Sequence, residues 1–156
     1  MNLAWRRFRR LPRLERSLFF RGIFLLPVTA CALRCVGLQN TKQLMDSWRK
    51  RDATRAIGDA AEKWRVANAA RRMTEAASRY GVVRGSCLSK SMVLWHLLRL
   101  QGLEATVHVG GRKDGRLFEA HAWVELDGRT VNDTEDVRER FAPFEGRVSG
   151  ALTREK

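Results

Sequence analysis

Three residues have the types and the order that nucleophilic chemistry needs. Cys87 stands at the head of an apolar helical run, just behind Gly85 and Ser86. His121 follows 34 residues later in a strand-like stretch, and Asp133 another 12 residues on. A thiol, an imidazole and a carboxylate can serve as nucleophile, general base and the group that orients the base. A helix N-terminus and a nearby imidazolium both favour the reactive thiolate. The free N–H groups at that helix end, the Cys87 amide first, can hold a developing oxyanion. In this scheme His121 takes the thiol proton and later protonates a leaving amine, while Asp133 fixes the imidazole tautomer. A lone cysteine at a buried helix start, or a lone histidine in a strand, is more often structural, so the weight rests on the combination.

The surrounding elements must bring the three together. Leu88, Met92, Val93, Trp95, Leu97, Leu98 and Leu100 make the run from Cys87 to Leu100 apolar nearly all round, as in a buried helix, and Gln101-Gly102 ends it. His96 lies nine residues after Cys87, about 180° round that helix, and cannot serve its thiol. Beyond it the period changes from helical to alternating. Ala105, Val107 and Val109 alternate with polar neighbours, and Leu117 to Leu126 is apolar on both faces like a central strand. Turns at 113–116 and 127–128 complete a three-stranded antiparallel meander ending near Asp133. A three-residue loop, Leu126-Asp127-Gly128, would pair Glu125 with Arg129, Trp123 with Val131 and His121 with Asp133. Opposed residues have Cβ atoms roughly 4.5–5.5 Å apart, within reach of a carboxylate–imidazole bond. A two-residue loop would instead turn Asp133 to the other face. His108 remains the rival base.

Charge divides the chain unevenly. Residues 1–80 hold 18 Lys+Arg against 6 Asp+Glu, whereas residues 81–156 hold 12 against 11. The basic half suits an anionic lipid, an acidic peptide or protein surface, or, least of the three, nucleic acid, for which no recognition motif accompanies the arginines. Solubility alone is the plainer explanation. Arg13 to Leu38 reads as one or two helical segments broken near Pro27. Its uncharged run, Gly22 to Leu33, is too short to span a bilayer and fits a buried or interfacial helix better than a signal peptide. Ala53 to Tyr80 reads as a long amphipathic helix stopped by Gly81. Cys31 and Cys35, four apart, fit two small buried side chains better than a metal site. Trp5, Trp48, Trp64 and Trp95 are expected to be core or interface anchors. The chain thus reads as a basic helical region over 1–52, an α+β core over 53–140 and a loose tail over 141–156.

Three segments resemble the lasso-peptide maturation protease family. They are Cys87-Leu88-Ser89-Lys90-Ser91, the helix end Leu97-Leu98-Arg99-Leu100-Gln101-Gly102, and Glu119-Ala120-His121-Ala122-Trp123-Val124-Glu125 followed by Gly128 and Asp133. The resemblance covers roughly residues 82–135 and implies a transglutaminase-like, papain-related core, with N-terminal helices ahead of it. It makes Cys87 the nucleophile, His121 the base and Asp133 the orienting acid, with no cofactor and no metal. It implies a cytoplasmic cysteine endopeptidase that removes the leader from a ribosomally made precursor peptide. The implied partners are that peptide, a separate small leader-recognition protein and an asparagine-synthetase-like, ATP-using cyclase. Residues 1–80 lack strand alternation, so a fused leader-recognition domain is not expected. The basic half could face a partner or the inner membrane surface. Two other readings stand beside this one: a transglutaminase-like acyltransferase, and a non-catalytic basic scaffold binding lipid or nucleic acid.

Overall fold

The computed structural model describes residues 11–48 and 59–144. Helices α1 (Arg13–Cys35), α2 (Gly37–Ser47), α3 (Ala60–Tyr80) and α4 (Cys87–Leu100) come first. Strands β1 (Ala105–Asp114), β2 (Leu117–Leu126) and β3 (Arg129–Thr130) come next, then the single turn α5 (Val137–Arg140) and β4 (Ala142–Pro143). The strands form one antiparallel sheet in the order β3-β2-β1-β4. This is an α+β arrangement, with four strands where three were expected. The fourth pairs only Ala142 and Pro143 with Gly111 and Gly110, too short to leave an alternating pattern in the sequence.

Helix α1 continues uninterrupted past Pro27, contrary to the expected break. Proline removes one helical N–H, but a buried stripe of Leu18, Gly22, Leu26 and Thr29 ties both halves of the helix to the core. The chain breaks instead at Gly37, whose φ of 79° suits glycine. Gly22 lets α1 approach α3 closely, since a Cβ there would lie 2.9 Å from Ala77 Cβ. Cys31 and Cys35 are exposed rather than buried, with their sulfurs 3.9 Å apart. The cause is their place on the face of α1 opposite that stripe.

Helix α3 starts at a side-chain cap, the Asp59 carboxylate accepting from the Ala61 N–H at 3.2 Å, and it stops at Gly81. Its buried face is largely small: Ala67, Ala69, Ala70, Ala77 and Ser78 with Val66 and Met73. Residues 53–58 of the expected helix lie outside the described residues, as do Trp5 and 145–156 of the expected tail. Trp95 is buried and donates to the Ala105 carbonyl at 3.1 Å, anchoring α4 to β1. Trp64 is partly buried against the core, but Trp48 is exposed. Helix α4 is covered by α1 and α3 on one side and by the sheet on the other. Ala105, Val124 and Leu126 face that main core, whereas Trp123 joins Val137 and Phe141 in a small cluster on the outer face. Only the second half of β2, from Ala122, is buried; Leu117 and Phe118 are exposed, so the strand is not central along its whole length.

Candidate active site

The β2–β3 hairpin departs from the expected register. Leu126 pairs with Arg129 and Glu125 with Thr130, so the loop is the two residues Asp127-Gly128. Both have positive φ, 50° and 77°, the geometry of a tight type I′ turn matched to strand twist. Continued as a regular strand, this register would turn Asp133 away from His121. The strand does not continue. After Thr130 the last backbone bond runs from the Val131 N–H to the Val124 carbonyl at 2.9 Å. The side chain of Asn132 then takes the place of a strand residue: its Oδ1 accepts from the Val124 N–H at 2.7 Å and its Nδ2 donates to Ser91 Oγ at 3.0 Å. Ser91, wholly buried on α4, donates in turn to the Ala122 carbonyl at 2.8 Å. Residues two apart on a strand present their polar groups to the same edge. Side chains therefore finish the edge of β2 that backbone began.

This ending frees the next residue to bend back. Asp133 Oδ2 lies 2.5 Å from His121 Nε2. Its Oδ1 accepts from the Thr134 N–H at 2.7 Å and from Arg140 at 2.6 Å. Burial works to raise the Asp133 pKa, but the Thr134 amide, His121 and Arg140 outweigh it, and the carboxyl sits below the ordinary aspartate value. The His121 ring packs against Phe141, with centroids 4.9 Å apart, and lies nearly parallel to Trp123. Gly110 opposes His121 across the sheet, and a Cβ there would meet the Trp123 ring at 3.0 Å and the Ala142 carbonyl at 2.7 Å.

Cys87 is half-buried at the first position of α4. Ser86 caps that helix, its Oγ accepting from the Ser89 N–H at 3.2 Å and its carbonyl from the Lys90 N–H at 3.0 Å. The Cys87 and Leu88 amides belong to the first helical turn, which has no intrahelical acceptors. Gly85 fits tightly beneath, with room for no Cβ beside Leu26 and Ser89.

Cys87 and His121 line one cleft of about 280 Å³. Arg71, Thr74 and Glu75 of α3 form one wall, Lys90 and Leu94 continue from Cys87 along α4, and Ala122 and Asn132 close it beside His121. Lys90 pairs with Glu75 across the opening at 3.1 Å. With Nε2 of His121 turned to Asp133, Nδ1 is the nitrogen available to a thiol. The other two histidines are placed elsewhere. His96 is buried among helices, and burial lowers its pKa. His108 stacks on Trp123 and lies 3.4 Å from the buried Glu125 carboxylate. Burial also lowers the His108 pKa, against the pull of Glu125. Glu125 itself is gripped by both arms of the Arg138 guanidinium at 2.6 Å, which holds its carboxyl below the usual glutamate value.

A family model matches residues 28–145, most of the chain. The chain belongs to the transglutaminase-like superfamily. Members of this superfamily are generally of cysteine-protease or acyltransferase type, and a helix headed by cysteine packed on an antiparallel sheet agrees with that membership. The match begins at residue 28, so the last part of α1 and all of α2 and α3 lie within the matched region. No curated protein and no solved structure matches the chain. Asn132, Ser91 and Arg140 do not stand out in the sequence. Each works through a partner far away in the chain or through a turn whose geometry no local pattern encodes.

Proposed function

We propose that the chain is a cysteine endopeptidase that removes the leader from a ribosomally synthesised lasso precursor peptide before macrolactam closure. The observation that carries the peptidase chemistry is the shared cleft: a cysteine at the first position of a helix, and an imidazole lining the same cleft whose Nε2 is held by a carboxylate. His121 Nδ1 accepts the Cys87 proton, and the sulfur attacks the scissile carbonyl carbon. The Cys87 amide, with its neighbour, donates to the oxyanion. His121 then protonates the leaving amine as the carbon–nitrogen bond breaks, giving a thioester. Water, deprotonated by His121, hydrolyses the thioester and restores the thiol. Asp133 and Arg140 keep the imidazole oriented throughout. The lasso precursor as substrate rests on the resemblance of the cysteine segment and of the block from Glu119 to Glu125. The leader-recognition protein and the asparagine-synthetase-like cyclase enter as proposed partners on the same ground.

The test is cleavage of a precursor peptide presented with its leader-binding partner. Cys87→Ala is expected to lower the rate by about three orders of magnitude or more. Undiminished cleavage by that variant overturns the mechanism. The superfamily also includes acyltransferase chemistry, in which an amine replaces water. Adding a primary amine to the trapped thioester separates the two, since an acyltransferase forms the amide adduct in preference to the free acid.

A further inference from the structure

We propose that the outward face of α1 docks on an anionic lipid surface, with the helix lying in the plane of the headgroups. Phe20, Phe24, Val28, Cys31 and Cys35 are all exposed and spaced 4, 4, 3 and 4 residues apart, which puts them on one helical face. The stripe is roughly 22 Å long at 1.5 Å per residue, and Phe24 is 71% exposed. The opposite face is committed to the protein: Leu18 and Leu26 are buried in the main core, and Gly22 sits against Ala77. By length and composition α1 could cross a membrane. Its inner face, with Leu18, Gly22 and Leu26, is packed against the protein, which favours lying along a membrane over crossing one.

Charge selects the occupant. Arg13 stands in line with the stripe, and Arg21 and Arg34 flank it on either side, within about 80° of Phe24 round the helix. All three are exposed and pair with no acid among the described residues. Residues 1–48 hold nine Lys/Arg and two Asp/Glu, and both acids are engaged elsewhere, Glu15 with Arg72 and Asp46 with Arg99. A second copy of the chain would set these arginines against their like with no carboxylate to answer them. Anionic headgroups answer them directly, while the phenylalanines enter the acyl boundary and the arginine stems reach back to the phosphates.

The experiment floats the full chain with vesicles of phosphatidylcholine, alone or with one-third phosphatidylglycerol. Binding is expected only to the anionic vesicles and should weaken with salt. Replacing Arg13, Arg21 or Arg34 by Gln should lower partitioning about fivefold each. Phe24→Asp should lower it tenfold or more. All four positions are exposed, and unchanged thermal melting of each variant shows that folding is intact. In a Cys35→Ser/Cys87→Ala chain, an environment-sensitive fluorophore on Cys31 should shift to the blue on anionic vesicles. No binding, or equal binding to neutral vesicles, overturns the proposal. So does a concentration-dependent dimer that cross-links through Cys31 and is abolished by Phe24→Asp, which would assign the stripe to a second copy. None of these readouts requires cleavage, so failure here is distinguishable from failure of the proposed activity.

Discussion

The amide of Asn132 bonds in two directions, accepting from the Val124 N–H and donating to Ser91 Oγ. Because Ser91 also holds the Ala122 carbonyl, one side chain joins α4, β2 and the segment that carries Asp133. Asn132→Ala would leave a strand N–H without an acceptor and free the segment just before Asp133. Such an unsatisfied group costs about 1–3 kcal/mol. The expected outcome is a loss of that size in urea denaturation, with a larger fall in kcat than rise in KM. A change confined to KM would show that Asn132 contacts substrate instead of placing Asp133. The sequence could not single out this residue. Its partners lie 8 and 41 positions away, and asparagine after a short strand reads only as a turn former.

At the level of elements, the cysteine-bearing helix was legible to the residue, because an apolar run between a Gly-Ser pair and Gln-Gly leaves little freedom. The hairpin was not. Both readings of its loop satisfied local rules, and the choice between them lay beyond Thr130, where side chains replace the ladder. His121 and Asp133 meet, yet through a bend instead of through cross-strand pairing. Pro27 misled for a similar reason: helix propensity weighs one lost hydrogen bond, whereas four buried positions on α1 weigh the whole core. That packing depends on the contact at Gly22. Gly22→Val places branched carbon where even a Cβ would lie 2.9 Å from Ala77 Cβ. Overpacking of this kind costs about 1–3 kcal/mol. A lowered melting temperature is the expected outcome, and an unchanged one would mean that α1 shifts freely over α3.

Across the whole molecule, ionisation makes stability fall with acid. The pKa values of His96 and His108 are lowered from 6.5 by burial, and that of Glu125 is lowered from 4.5 chiefly by Arg138. In each case the unfolded chain takes up protons at a higher pH than the folded one. Each group therefore contributes stability that is complete above its unfolded pKa and lost as pH falls through the folded value. Urea midpoints should be level near pH 8, begin to drop below about 6.5 and drop further below about 4.5. His108→Gln should flatten the upper limb. A midpoint that rises between about pH 6.5 and 5.5 would contradict these environments. The short β3 has a consequence of another kind. The backbone ladder holding the sheet edge stops at Val131, and the imidazole–carboxylate pair beyond it hangs on a few side-chain hydrogen bonds. Such a corner can melt as its own small cooperative unit while helices and core stay intact. Heating should then silence the proposed activity before it unfolds the chain, reversibly, with the midpoint for activity several degrees below that for loss of helical circular dichroism. Coincident midpoints would show that corner and core open together.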